Sequence, residues 1–246
     1  MSSKKVALIT GANRGIGLET AKQLGEKGII VILTARKQTV ADEAAAGLSE
    51  SGIEAYGIEL DVRSDADRKA VADYIEKKFG KLDILINNAG VGPKGAGLFD
   101  VKNVETDQEE FDYVFGTNFY SVVFLTNELL PLLKKSEAGR IVNLSSILGS
   151  LGLHAQDDSP IAALKRLSYN ASKTALNVFT NHLAAELADT KIKVNSAHPG
   201  WVQTELGGSE APMEITDGAK TSVALALIGE EGPNGRFIHQ GEELPW

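Results

Sequence analysis

Along the chain, short apolar runs alternate with longer stretches in which apolar residues recur every three or four positions. The first pattern predicts buried strand, the second amphipathic helix. Val6–Thr10 is apolar and closed by glycine, which suits a strand of a parallel sheet. A helix is expected over Gly15–Lys27, a strand over Ile29–Thr34, an alanine-rich helix over Val40–Ser51 and a third strand over Glu54–Leu60. Ser64 with Asp67 reads as a capping box, opening a helix to Phe79 with Val71, Ile75 and Phe79 on one stripe. Ile84–Asn87 is the fourth strand, and glycines at 90, 92, 95 and 97 mark a loop. Thr106 with Glu109 repeats the capping signature and opens a long helix to about Leu133. Arg140–Leu144 is the fifth strand, residues 147–167 read as loop or short helices, and Ser168–Asp189 is helical. Lys193–Ala197, a helix over Thr216–Ile228 and a short strand at Arg236–Ile238 complete the pattern.

Alternating strands and helices require crossover connections. The expectation is therefore one α/β domain over residues 1–246: a doubly wound parallel sheet of about seven strands with helices on both faces. In such a sheet, ligands bind beyond the carboxyl ends of the strands.

Composition narrows the choice of partner. A net charge of −8 repels phosphate backbones and anionic lipid, so neither nucleic acid nor membrane is an expected partner. There is no cysteine, which excludes disulfides and thiolate chemistry. His154, His182, His198 and His239 are scattered and match no metal-ligand spacing, so no metal is expected. No signal peptide fits before the first strand and no run is long enough to span a bilayer, so the expected compartment is the cytoplasm.

The first strand runs into Thr10-Gly11-Ala12-Asn13-Arg14-Gly15-Ile16-Gly17. Glycines at 11, 15 and 17 allow a sharp turn and a close approach to a ligand. The helix that follows would aim its free N–H groups at an anion, so a dinucleotide phosphate is the expected occupant. An NAD site places Asp or Glu about 20 residues on, to hold the ribose 2′-hydroxyl. Here Ala35 stands 18 residues after Gly17 and is followed by Arg36 and Lys37. A guanidinium matches a 2′-phosphate, with Arg14 as a possible second charge, so NADP(H) is favoured over NAD(H).

A second group carries reaction chemistry. A lysine four residues after a tyrosine lies on the same helix face, and its ammonium favours the phenolate. Tyr-x-x-x-Lys occurs twice, at Tyr74/Lys78 and at Tyr169/Lys173. The first sits beside Glu76 and Lys77 and reads as a surface pair; only the second follows a serine-bearing strand end and precedes Pro199-Gly200. The glycine turn, Asp61-Val62, Asn87-Asn88-Ala89-Gly90, Asn118, Ser145-Ser146, Tyr169-x-x-x-Lys173, and Pro199-Gly200 with Thr204 together resemble the short-chain dehydrogenase/reductase family, over nearly the whole chain. The resemblance implies a single Rossmann domain, with a cofactor half over about 1–145 and a catalytic and substrate part over about 146–246. Its reaction would reduce a carbonyl or oxidise the matching alcohol. Tyr169 would be the general acid/base and Lys173 would tune it and bond the nicotinamide ribose. Ser146 would donate to the substrate oxygen, and Asn118 would hold a relay water. Ser146 is preferred over Ser145 as the second of the pair. By the same resemblance Asp61, Val62, Asn87, Ala89 and Gly90 line the adenosine side, and Pro199, Gly200, Val202 and Thr204 complete the cofactor site.

Tyr169 follows Ser146 by 23 positions where many members of that family have about 13, so roughly ten residues are extra, in the segment Ser150–Leu167. A larger insertion there marks the monomeric carbonyl reductases. Thr34-Ala35-Arg36, Pro199-Gly200-Trp201-Val202, Glu231-Gly232-Pro233 and Trp246 also resemble that subgroup. The implied substrate is a small aldehyde, ketone or quinone, and the implied assembly a monomer or homodimer. A reductase for one defined metabolite, or an NADPH-binding sensor without turnover, are the competing expectations. Glu205–Ile215 reads as a substrate lid with Gly207 and Gly208 as hinges. Trp201 either covers the substrate or packs the lid, and His198 reads as a satisfied polar residue rather than a catalyst.

Overall fold

The computed structural model describes residues 4–93 and 103–246. Its strands are β1 (Val6–Ile9), β2 (Ile30–Ala35), β3 (Ala55–Glu59), β4 (Ile84–Asn87), β5 (Arg140–Leu144), β6 (Lys193–Ala197), β7 (Phe237–His239) and β8 (Glu242–Glu243). They form one sheet in the order β3-β2-β1-β4-β5-β6-β7-β8. Every pairing is parallel except β7 with β8. The expected seven strands are therefore joined by an eighth. The chain reverses at Gln240 and Gly241, both at positive φ (48° and 89°), and the two glutamates that follow complete a minimal hairpin.

The central strands are buried on both faces, which is why they read as unbroken apolar runs; all six residues of β2 are buried. Successive side chains enter different cores. Val6, Leu8, Ile32, Leu85, Ile141 and Val194 pack with Val71 and Ile75 of α3 (Asp65–Phe79), Leu125 and Leu129 of α5 (Ser121–Leu133), and Leu183 of α7 (Leu167–Glu186). Ala7, Ile9, Val31, Leu33, Ile86 and Val142 pack with Leu24 of α1 (Gly15–Gly25), Leu48 of α2 (Gln38–Glu50) and Val223 of α8 (Ile215–Ala226). The order reverses between β1 and β4, which opens the crevice beyond their carboxyl ends.

Ser64 caps α3 as expected, accepting from Asp67 N–H, while its hydroxyl donates to the Asp67 carboxylate at 2.8 Å. The second capping signature is displaced by one residue. Asp107, not Thr106, caps α4 (Gln108–Phe115), accepting from Glu110 N–H at 2.8 Å. The expected long helix is continuous but not uniform: Gly116–Tyr120 makes a π-helical turn between α4 and α5. Between Ser146 and Tyr169 the chain forms a 3-10 turn at Ile147–Gly149 and, in the insertion, α6 (Leu151–His154). Gly95 and Gly97 lie outside the described residues.

Candidate active site

The glycine turn is built by its neighbours. Ala12 N–H donates to Thr34 O (2.9 Å) and Gly11 N–H to the Thr34 hydroxyl (3.2 Å). Asn88 Nδ2 donates to the carbonyls of Thr10 (2.7 Å) and Gly11 (3.1 Å), and the Thr10 hydroxyl accepts from Asn88 and Ala89 N–H. Gly11 and Gly15 have φ of 60° and 56°, and a Cβ on Gly17 would stand 2.4 Å from Asn88 Nδ2. Glycine is required there by contact as well as by backbone conformation. Arg14 precedes α1 and makes no side-chain cap, and no acid lies in that helix's first turn. Its leading N–H groups therefore face the crevice with no side-chain acceptor of their own, which fits a phosphate. Asn13 and Ile16 are half-buried in the turn.

The remaining expected nucleotide residues divide. Arg36 is exposed one residue beyond β2. Arg14 pairs with Glu205 of the segment after β6. Asp61 accepts from Arg63 N–H (3.0 Å) and stays half-buried near the end of β3. Gly90 is exposed at the crevice, and its Cα lies so close to the catalytic side that a Cβ would stand 3.4 Å from Asn118 Oδ1 and 3.6 Å from Lys173 Nζ. Three side chains turn inward instead. Asn87 Nδ2 donates to Asn143 Oδ1 (2.8 Å) and to the Thr126 hydroxyl (3.2 Å). Val62 and Val202 are buried, the latter against Gly218. Those three have only backbone to offer a nucleotide.

Tyr169 and Lys173 share one face of α7 and are 7% and 5% exposed. The Tyr169 ring packs with Leu148 and with Ile161 of the insertion. That burial pushes the phenol up to about 12, opposed by a hydrogen bond with the Ser146 side chain. Lys173 Nζ lies 5.7 Å from the ring centroid and donates to Leu144 O at 2.7 Å. Burial lowers Lys173 to about 8. Burial thus sets the direction for the phenol, and the lysine hydrogen-bonds the end of β5 rather than the phenol.

Asn118 sits in the π turn, 1% exposed. Its amide accepts from Val91 N–H (2.8 Å) and donates to Val91 O (2.9 Å) and to the Ser172 hydroxyl (3.1 Å), which in turn donates to Tyr169 O (2.7 Å). These bonds tie the loop after β4 to α7. Ser146 is half-buried and caps the turn after β5, whereas Ser145 is buried.

Over the crevice, Thr204 approaches Gly15, and Leu206 packs so tightly on Gly92 that a Cβ there would stand 2.6 Å away. Trp201 is 43% exposed, and its indole N–H donates to Gly207 O at 2.7 Å. That bond serves the lid turn. Pro199 is half-buried, and Gly200 at φ 91° lies under Met213. Sequence reasoning missed Asn88, Ser172 and Ile161 as site residues. The first two lie within the matched motifs; Ile161 had no signal beyond its place in the insertion. Among the described residues no group of acids and histidines is arranged to hold a metal, and no helix is long and apolar enough to cross a membrane.

A doubly wound sheet with a glycine turn at its switch point defines a Rossmann-type α/β protein. Ser146, Tyr169 and Lys173 gather at the carboxyl end of the same sheet. A profile of the short chain dehydrogenase family matches residues 5–215, and the chain belongs to the short-chain dehydrogenase/reductase family. It is 31% identical to short-chain dehydrogenase/reductase 1 of Saponaria officinalis, over 100% of this chain and 97% of the relative. It is 30% identical to NADPH carbonyl reductase 1 of Rattus norvegicus, over 100% and 99%. The NADPH-bound carbonyl reductase from chicken fatty liver superposes with a TM-score of 0.85 at 27% identity, covering all of both chains.

Proposed function

We propose that this protein uses NADPH to reduce a carbonyl compound, an aldehyde, ketone or quinone, to the alcohol. The observation that carries the reading is the meeting of the Tyr169 phenol with the Ser146 hydroxyl at the carboxyl end of the sheet, with Lys173 one helical turn away. The glycine turn would hold the pyrophosphate, Arg36 the 2′-phosphate, and the Pro199–Thr204 segment the nicotinamide end. NADPH supplies the hydride when bound. The chain's own residues manage the oxygen. Ser146 donates a hydrogen bond to the substrate oxygen as negative charge builds. Tyr169, protonated throughout the neutral range because burial holds its pKa high, gives that oxygen its proton. Lys173 provides the buried positive charge that favours the phenolate left behind. The relatives named for carbonyl reduction support the substrate class.

The test is an initial-rate screen of NADPH against NADH over aldehydes, ketones and quinones, repeated with Tyr169→Phe. The variant is expected to bind NADPH as the wild type does and to lose turnover by about 100-fold or more. Undiminished turnover would remove Tyr169 as proton donor. Tight NADPH binding with no oxidation by any carbonyl would favour a sensor.

A further inference from the structure

The last backbone bond joining β5 to β6 runs from Ser145 N–H to Ala197 O, at 2.8 Å. The next residue, His198, just past β6, donates its backbone N–H to Ile238 O on the β7 side at 2.8 Å. The His198 side chain continues the join. Its Nδ1 faces Ile147 N–H at 3.3 Å and Gly200 N–H at 3.4 Å. Both partners are donors, so Nδ1 carries the lone pair and the ring is the neutral tautomer protonated at Nε2. The ring is 8% exposed and lies 4.7 Å, centroid to centroid, from His239, whose Nδ1 meets His198 O at 2.9 Å. Burial and the neighbouring His239 hold His198 down to about 3, so it stays neutral at any working pH.

The two N–H groups come from the two turns that meet at the site. Ile147 follows Ser146, and Gly200 belongs to the turn after β6. Ser146 therefore stands between two anchored neighbours: the 145 N–H held by Ala197 O and the 147 N–H held by the His198 ring. We propose that His198 is a positioning residue, whose neutral Nδ1 ties the Ser146 turn to the Pro199–Gly200 turn and so aims the serine hydroxyl at the reacting oxygen. This rests on the roles given above to Ser146 and Tyr169. A small displacement of a polarising group is enough to cost rate, because proximity and orientation supply much of the acceleration.

The test compares His198→Asn with His198→Leu, each alone and combined with Ser146→Ala. Asparagine Oδ1 can take the acceptor position of Nδ1; leucine fills the space without accepting. With carbonyl substrate and NADPH, His198→Leu is expected to lower kcat about ten-fold with a smaller change in KM, and His198→Asn to restore most of it. In the Ser146→Ala background the leucine change is expected to cost little more, because the group it positions is gone. Melting temperature and NADPH binding confirm that each variant is folded. Full kcat in His198→Leu, no rescue by asparagine, or the same loss with and without Ser146 would overturn the proposal. Undiminished turnover in Ser146→Ala alone would instead overturn the role of Ser146, and this proposal with it.

Discussion

Replacing Lys173 by methionine separates the energetic cost of a buried ammonium from its use. Burial lowers the group from 10.5 to about 8, with no carboxylate among the causes. At about 1.36 kcal/mol per unit, the charged form is disfavoured in the folded chain by about 3 kcal/mol. The shift is downward, so the unfolded chain holds the proton more tightly between the two values. Stability therefore rises with pH across that window, and the penalty is fully present below it. Methionine has a similar stem and no proton to lose. It does forfeit the 2.7 Å bond to Leu144 O, a loss of about 1–3 kcal/mol that is nearly constant with pH. Subtracting the variant from the wild type therefore isolates the titration. From about pH 7 to about pH 9.5 the wild type should gain about 2 kcal/mol on Lys173→Met. Tyr169 does not interfere: its raised pKa contributes stability that is complete below its ordinary value of 10.0 and fades only above it. Urea unfolding of both proteins at several pH values measures the difference. A pH-independent difference, or one that shrinks the wild type's standing as pH rises, would refute the reasoning. The variant should also be catalytically dead. Under the proposed reaction, the charge that costs folding energy is the one the proton transfer would use.

Two further outcomes follow from contacts around the glycine turn. Gly17→Ala places a Cβ 2.4 Å from Asn88 Nδ2 and 2.7 Å from Gly11 O, so it should lower the melting temperature, by overpacking worth about 1–3 kcal/mol, and weaken NADPH binding; unaltered binding measured by cofactor fluorescence would contradict it. Glu205→Gln releases Arg14 from its surface ion pair, so NADPH binding should tighten about two- to five-fold with little change in stability, and calorimetry showing weaker binding would exclude competition between Glu205 and the cofactor for Arg14.

What was legible in the sequence is what burial imposes on it. A strand covered on both faces must be apolar throughout, so β2 announces itself. The glycine turn is legible because nothing larger than glycine fits at Gly17. The less legible parts depend on choices among chemically equal options. Thr106 and Asp107 can both cap a helix, and the chain uses the second. The π turn at Gly116–Tyr120 is hidden because it changes hydrogen bonding without interrupting the residue types of a helix. The eighth strand is two exposed glutamates with no alternation to read. At the site, spacing alone placed Lys173 on the face of Tyr169. It had no access to the burial, by Ile161 over the ring among others, that sets the direction of both pKa shifts.

The sheet itself marks which of its ends carries the chemistry. Toward the amino ends, neighbouring positions are apolar: Leu85, Ile141 and Val194 lie side by side in register and are buried. Two residues further on, the same three strands carry Asn87, Asn143 and Ser196, again in register and buried. Polar side chains in that position would be costly alone. They are joined: Asn87 to Asn143, Asn143 to the Thr180 hydroxyl at 2.9 Å, and Ser196 to the same hydroxyl at 2.9 Å. Thr180 belongs to α7, the helix that carries Tyr169 and Lys173. The polar rank therefore fixes the height and rotation of the catalytic helix on the sheet, which apolar contacts, lacking direction, would leave free to slide. A buried polar row across β4, β5 and β6 thus ties α7 to the sheet, and its apolar replacement, even where it stabilised the fold, would loosen the placement of Tyr169 and Lys173 on which the proposed proton transfer rests.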